Sequence, residues 1–352
     1  MSQTVSTEEA TVRPYSPGGA VSDEPSGKLS SNESALGPAP AVVRAVRDAV
    51  PDFHHYRTSD DFRAGLADDL GVAAEQLLIT NGSDESCYLV ASVHLGAGAT
   101  VVTSDPPYRI DEIVSRINGA AVVPVPLKDG AHDLDRLAEE SQSAEILWLP
   151  TPHNPSGIAV PAERLDPLLE RVPASCLVVL DEAYRPFLPP ERRPDALELL
   201  RRHPNLLIQR SLSKSHGLAG FRVGYLIGSG AQIARLDVVR APFNVNAAAL
   251  VAAGAALREP GWSDYTVARV RDERARFEAF LEAGDFTYWP SDTNFVSFRP
   301  RDHDATVSAL AKRGIAVRDG SDLGIDGWLR VTVGSAPRML LVREALIEAG
   351  ES

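Results

Sequence analysis

Apolar residues along this chain fall into short, nearly unbroken runs separated by amphipathic stretches, a rhythm that predicts strands and helices in alternation. The runs are Gln76-Leu-Leu-Ile-Thr80, Thr100-Val-Val-Thr103, Ala121-Val-Val-Pro-Val125, Glu145-Ile-Leu-Trp-Leu149, Cys176-Leu-Val-Val-Leu180, Leu206-Leu-Ile-Gln209 and Phe221 to Ile227. Helices are expected from Asp60 to Leu70 with Gly71 as a C-terminal cap, from Asn81-Gly-Ser-Asp-Glu85 towards His94, from Tyr108 to about Asn118, from Leu134 to Glu140 and from Pro161 to Val172. Strands that are apolar throughout belong to a sheet buried on both faces, and the intervening helices make it mostly parallel. The fold class is α/β.

Beyond Arg240 the rhythm changes. Asn246 to Leu257 is an alanine-rich helix and Ser263 to Ala283 a long charged one, expected to pack on a domain boundary. Thr293 to Phe298, Gly314 to Arg318 and Gly327 to Gly334 then read as strands, with Asp304 to Arg313 and Pro337 to Glu348 as helices. The expected division is an arm over 1–27, an N-terminal part of a small domain over 28–50, a large domain over 51–244 and the rest of the small domain over 245–352. The arm is polar, without the basic start and apolar centre of a secretory signal, and reads as mobile or as ordered against a partner.

Charge narrows the partners. A net charge of −13 over 352 residues argues against a nucleic-acid or anionic-membrane surface, and no apolar run reaches the ~20 residues that span a bilayer. Cys87 and Cys176 lie in apolar surroundings without metal-ligand spacing, so they read as buried thiols and no metal is expected. The composition is cytosolic, which predicts a cytoplasmic protein.

The polar motifs all follow strands, where ligands sit in such sheets. Gly82 and Ser83 open a helix with free N–H groups suited to a phosphate, although Ser83 as an ordinary N-cap is an equally simple reading. Asp105-Pro-Pro-Tyr108, Asn154-Pro-Ser-Gly157 and Asp181-Glu-Ala-Tyr184 end three further strands. Ser211-Leu-Ser-Lys214-Ser-His-Gly-Leu-Ala-Gly-Phe-Arg222 carries one of only four lysines against 31 arginines, and is either a solvated turn or the seat of a Schiff-base lysine. The chain lacks Gly-x4-Gly-Lys-Ser/Thr, a Gly-x-Gly-x-x-Gly after the first strand, His-Glu-x-x-His and Gly-x-Ser-x-Gly, which disfavours P-loop, nicotinamide, zinc and common hydrolase chemistry. A lysine, a strand-end aspartate, an anion cradle and arginines of a second domain are what pyridoxal phosphate needs. Asp181 can face the pyridine nitrogen, Asn154 and Tyr184 the 3-oxygen, and Tyr108 the ring. Gly82, Ser83, Asp84, Ser211, Ser213 and Arg222 can surround the phosphate.

With these residues in place the chain resembles the fold-type I aminotransferases of class I/II, in their histidinol-phosphate aminotransferase-like branch. Matching motifs run in family order from Leu29-Ser-Ser-Asn-Glu33 through Asn81-Gly-Ser-Asp-Glu85, Asn154-Pro-Ser-Gly157, Asp181-Glu-Ala-Tyr184 and Ser211 to Tyr225, ending with Gly314 to Arg318 and Leu329 to Gly334. The resemblance covers about residues 28 to 350. It implies a large domain built on a mostly parallel seven-stranded sheet, a smaller α/β domain, and a homodimer with shared sites. It further implies that Lys214 carries the internal aldimine and shuttles the substrate proton, and that Asn32, Asn154, Arg318 and Arg330 bind the substrate. The implied activity moves an amino group from an amino acid, or an amino phosphate such as histidinol phosphate, to a 2-oxo acid. A pyridoxal-phosphate lyase, decarboxylase, cyclase or oxidase on the same scaffold is the alternative. Three stretches depart from the family. His54-His-Tyr56-Arg stands for an Arg-Tyr-Pro-Asp-like segment whose tyrosine reaches the neighbouring subunit's cofactor phosphate, which assigns that role to Tyr56. His216 replaces an aromatic, and Ile110-Asp111 replaces a Met-Tyr pair.

Overall fold

The structure, a computed structural model, describes residues 5–7, 10–12, 14–15, 18–19 and 27–350. A seven-stranded sheet runs, edge to edge, Leu77–Thr80, Gly224–Ile227, Leu206–Ser211, Leu177–Asp181, Ile146–Pro150, Thr100–Asp105 and Ala121–Pro126. Only Gly224–Ile227 runs against its neighbours; the other ladders are parallel. The apolar runs of the inner strands are buried on both sides as their composition predicts, whereas the edge strand Ala121–Pro126 buries only Val125. Leu147, Leu149, Val178, Leu180, Leu206 and Ile208 enter one core, while Ile146, Trp148, Leu177, Val179 and Leu207 enter a second on the opposite face. That alternation is the two-residue period of a strand with both faces covered by helices.

A second sheet of five strands, in the order Thr287–Tyr288, Phe295–Arg299, Leu329–Thr332, Ala316–Asp319 and Lys28–Leu29, carries a third core of Phe277, Phe286, Phe295, Phe298, Val331 and Met339. Its last strand is the first stretch of chain after the arm, paired in parallel with Ala316 and Val317. Packing cuts across the composition change near residue 245: helix Pro40–Ala49 lies on helix Ala247–Leu257, and Val42 and Ala249 share the core of the large sheet. The helix Pro260–Ala283 leaves that seam and buries Val267, Val270, Phe277 and Leu281 against the smaller sheet.

Strand bounds differ from the sequence expectation by one to three residues. Two helices, Ala196–Arg202 and Gly230–Val239, were not signalled by the apolar rhythm. Both are short, and their ends are set by Asp195 accepting from Glu198 N–H and by the reciprocal Ser229–Gln232 capping box. Most of the arm over 1–27 lies outside the described residues. Its described parts pair Val5–Thr7 with Ala10–Val12 and bring Tyr15 to the cavity described below.

The phenylalanine core fixes the smaller sheet against its helix. Phe277 is fully buried and meets Phe298 edge-on, with ring centroids 6.0 Å apart. Phe277→Ala is expected to lower the unfolding free energy by about 3–5 kcal/mol, read as a shift of the urea midpoint with the slope unchanged.

Candidate active site

Because six strands are parallel, their carboxyl ends share one edge, and the loops leaving them meet there. Gly82 follows the strand ending at Thr80, Asn154 the one ending at Pro150, Tyr184 the one ending at Asp181, and Lys214 the one ending at Ser211. The reversed strand completes the set. Gly224 is in register with Thr80 and Ser211, so this strand begins where its neighbours end and Arg222, just before it, reaches the same edge. A cavity of about 350 Å³ opens there, lined among others by Asn32, Ser83, Asp84, Tyr108, Asn154, Asp181, Tyr184, Ser211, Ser213, Lys214, Arg222 and Arg330.

Backbone conformation holds the loops. Gly217 has φ +69°, and a Cβ there would lie 2.4 Å from the backbone of Gly37. At Gly82, with φ +80°, a Cβ would lie 2.5 Å from Nη2 of Arg222, so glycine leaves room for the guanidinium over the helix start. The helix begins at Gly82, which places Ser83 in its first turn rather than at the N-cap. Arg222 Nη2 donates to Asp84 Oδ2 at 2.9 Å, and Asp84 Oδ1 accepts from the Tyr108 hydroxyl at 3.0 Å. Ser211 Oγ accepts from Ser213 N–H at 3.1 Å.

The opposite wall comes from the smaller sheet. Arg330 Nη1 donates to Asn154 Oδ1 at 2.6 Å and Nη2 to the Ser30 carbonyl at 3.0 Å, while its guanidinium lies 5.2 Å from the Phe295 ring centroid. Asn32 Nδ2 donates to the Tyr184 hydroxyl at 2.8 Å, and Thr332 and Asn294 hold the Asn32 backbone. Thr332, Asn294, the Ser30 and Ser31 carbonyls and Tyr15 carry no chemical signature in sequence; the Ser30 and Ser31 carbonyls reach the site where Lys28–Leu29 joins the distant strand Ala316–Asp319, and Thr332 and Asn294 come from the paired strands beside it.

Charge in the cavity is unbalanced locally. Asp181 accepts from Ala183 N–H at 2.9 Å and from the Gln209 side chain, yet has no cation partner among the described residues; burial pushes its carboxyl up to about 6. Arg330 is 4% exposed, has no carboxylate partner among the described residues, and its Nε lacks any hydrogen-bond acceptor. Lys214 Nζ donates to the Ser31 carbonyl at 3.1 Å, and desolvation, helped by the Arg330 charge, lowers its amine to about 8. Burial raises the Tyr184 hydroxyl to about 12, with Arg330 pulling the other way.

Two predicted site residues stand apart. Arg318 is buried in direct register with Arg330 on the neighbouring strand, but it lines an adjoining cavity of about 730 Å³, near Asp322 and 5.9 Å from the Tyr15 ring centroid. Tyr56 is 84% exposed and stacks on Phe243 outside both cavities. His216 binds Ser215 Oγ and does not line the cavity. His153 is buried behind Asn154, bound to Ser156 Oγ and the Pro106 carbonyl.

The parallel sheet, the reversed strand and a lysine at the carboxyl edge define a cofactor-dependent transferase class. Residues 26–346 match the family Aminotransferase class I and II, and the chain belongs to that family. It is a pyridoxal-phosphate-dependent aminotransferase. It is 37% identical to histidinol-phosphate aminotransferase 1 of Bacillus cereus over 311 residues, 87% of this chain and 84% of the relative. It is 34% identical to the histidinol-phosphate aminotransferase of Halalkalibacterium halodurans over 336 residues, 92% of this chain and 90% of the relative. The crystal structure of histidinol-phosphate aminotransferase from Sinorhizobium meliloti in complex with pyridoxal-5'-phosphate superposes with a TM-score of 0.86 at 30% identity, covering 92% of this chain and 90% of that one. These relatives do not favour the lyase alternative.

The lowered amine gives a pH signature. In cofactor-free protein the rate at which Lys214 reacts with a small aldehyde is expected to rise with pH to about 8 and then level off, whereas exposed Lys128, whose amine is raised by Asp133, keeps gaining reactivity above that pH. Peptide mass spectrometry after borohydride trapping separates the two lysines.

Proposed function

We propose that the chain transfers an amino group from a phosphorylated amine of the histidinol phosphate type to a 2-oxo acid, with Lys214 as the catalytic base. The observation that carries this reading is one cavity holding an amine of lowered proton affinity, a half-buried aspartate without a cation and a buried arginine without an acid. Such a set is poorly balanced alone and suits a ligand that brings a protonated ring nitrogen and an anion.

Pyridoxal phosphate, when bound, supplies an aldehyde that carries the amino group and a ring that takes up electron density from the substrate. Asp181 would face the ring nitrogen and Tyr108 the ring plane. Ser83, Ser211, Ser213 and Arg222 would hold the phosphate beside the helix start at Gly82, with Asp84 keeping Arg222 and Tyr108 aligned. Asn154 has its Oδ1 occupied by Arg330, which leaves its amide N–H groups to donate to the ring oxygen. Tyr184 receives a hydrogen bond from Asn32 and so keeps its own proton to give to the same oxygen. Lys214 takes and returns the α-proton at Nζ; an amine near 8 is partly neutral at physiological pH and already positioned, so proximity supplies much of the rate.

Arg330, with Arg318 opposite it in register, would receive the anionic groups of substrate. Two like charges directly across a ladder are unfavourable unless an anion shares them. The names of the relatives support a phosphate as that anion. We propose further that the two sheets mark two domains, with 51–244 holding the cofactor, 28–50 with 245–352 forming the smaller one, and helices 40–49 and 247–257 as the seam. The working unit in this reading is a cytoplasmic homodimer in which exposed Tyr56, beside exposed Phe243, reaches the partner's cofactor phosphate. Among the described residues no helix is long and apolar enough to cross a membrane.

Lys214→Ala is expected to abolish turnover while circular dichroism stays that of the wild type; appreciable steady-state transamination without added amines would sink the assignment. In single half-reactions followed by the bound cofactor's visible absorbance, histidinol phosphate is expected to react roughly 10–100-fold faster than histidinol, the value of one charge-assisted contact. Equal rates would remove the phosphate from the reading. Mixing inactive Lys214→Ala with Tyr56→Ala subunits should restore activity in the mixed dimer, since one of its two sites is then intact; no recovery would leave Tyr56 outside the site.

A further inference from the structure

Asp111 is a departure that the mechanism above does not use. It sits one helical turn beyond the stacking residue Tyr108, on helix Arg109–Ile117, and is 2% exposed. The Cys87 thiol, on the helix that starts at Gly82, lies between two oxygens: Sγ is 3.4 Å from Asp111 Oδ1 and 3.6 Å from Gln209 Oε1. Gln209 in turn is in register with Asp181 on the adjacent parallel strand, and its side chain bonds the Asp181 carboxyl.

A thiol has one hydrogen and cannot donate to both oxygens. With Asp111 ionised, the thiol would be drawn to the carboxylate, Gln209 Oε1 would lose its donor, and a second buried negative charge would join Asp181. With a proton on Asp111, every contact is satisfied in one direction: Asp111 O–H to Sγ, S–H to Gln209 Oε1, and Gln209 N–H to Asp181. Turning the Gln209 amide over would set its oxygen against the Asp181 carboxylate. The charged and titratable groups acting on Asp111 are Asp181 from its strand, and Asp84 and Cys87 from the facing helix; none is a cation, and burial raises the Asp111 carboxyl well above the usual range. Hydrogen bonds aligned head to tail polarise one another, so the proton at one end strengthens donation at the other.

We propose that Asp111 is a positioning residue, a protonated acid that acts through Cys87 and Gln209 to keep Asp181 charged for the ring nitrogen of the cofactor. This rests on the reading of Asp181 given above. It makes Ile110-Asp111 and Cys87 a matched pair, since the acid is useful only with the thiol beside it.

Two measurements test this on the holoenzyme. The first compares heat unfolding of wild type and Asp111→Asn at saturating pyridoxal phosphate from about pH 5 to about pH 8. The unfolded chain releases the Asp111 proton near pH ~3.9 while the folded one keeps it, so wild type binds more protons when folded and loses stability as pH rises. The variant lacks that loss, and its advantage should widen with pH; parallel curves would overturn the protonated acid. The second is the pyridoxal phosphate dissociation constant by equilibrium dialysis. Asp111→Asn, still a neutral donor, should hold the cofactor within about two-fold of wild type, while Asp111→Leu and Cys87→Ala should weaken it by about 3–10-fold, the value of one net hydrogen bond. Unchanged binding in Cys87→Ala, which decides alone if Asp111→Leu does not fold, would overturn the link to Asp181. Asp181→Ala separates the two ideas: if it too binds normally, the cofactor role of Asp181 fails, and if it alone weakens binding, only the relay fails.

Discussion

A sheet of parallel strands buried on both faces can offer polar chemistry only where its strands stop. That constraint governs this molecule. Leu177 to Leu180 and Ile146 to Leu149 are committed to the two cores, so the cavity is met only past their ends, by Asp181 on one segment and by Pro150, Pro152 and Asn154 on the other. The single reversed strand tightens the arrangement, because its beginning lies at the same edge and delivers Arg222 opposite Ser211 and Gly82. One edge thus receives the helix start at Gly82, the amide, the acid, the amine and the guanidinium from segments separated by as much as 140 residues in the chain, a spacing visible in the numbering from Gly82 to Arg222.

The second sheet supplies what the first cannot. Arg330 crosses to Asn154, and its charge lowers the proton affinity of Lys214. Asn32 reaches Tyr184 from just after the strand Lys28–Leu29. Each contact links the sheets through a group that the cofactor or substrate would also use, so the two lobes are registered by the same atoms that define the site. Displacement of either sheet would change the chemistry before it changed the fold.

The departures from the family sort by their surroundings. His216 is held by Ser215 and does not line the cavity, and His153 braces the loop carrying Asn154 through the Pro106 carbonyl. Burial lowers the proton affinity of both imidazoles, His153 being fully buried and His216 partly so. Asp111 is of another kind. It is a carboxyl buried beside other acids, raised by that burial and in contact with Cys87, which in turn meets Gln209.

The sequence by itself determined the layer plan and the first rank of the site. Apolar strands read as a buried parallel sheet because composition and period act locally; Asp181, Asn154 and Lys214 were legible because each follows a strand with a turn chemistry of its own, and Arg222 because it closes the motif that begins at Ser211. Tertiary structure alone decided the rest. That Arg330 touches Asn154 while Arg318 stands one chamber away follows from strand register, which no local pattern encodes. That Ser31 meets Lys214 follows from the pairing of residue 28 with residue 316, a contact whose signal is two short segments of ordinary composition. The proton balance among Asp181, Asp111 and Lys214 depends on burial and on the distance between charges, and these exist only once the chain is folded.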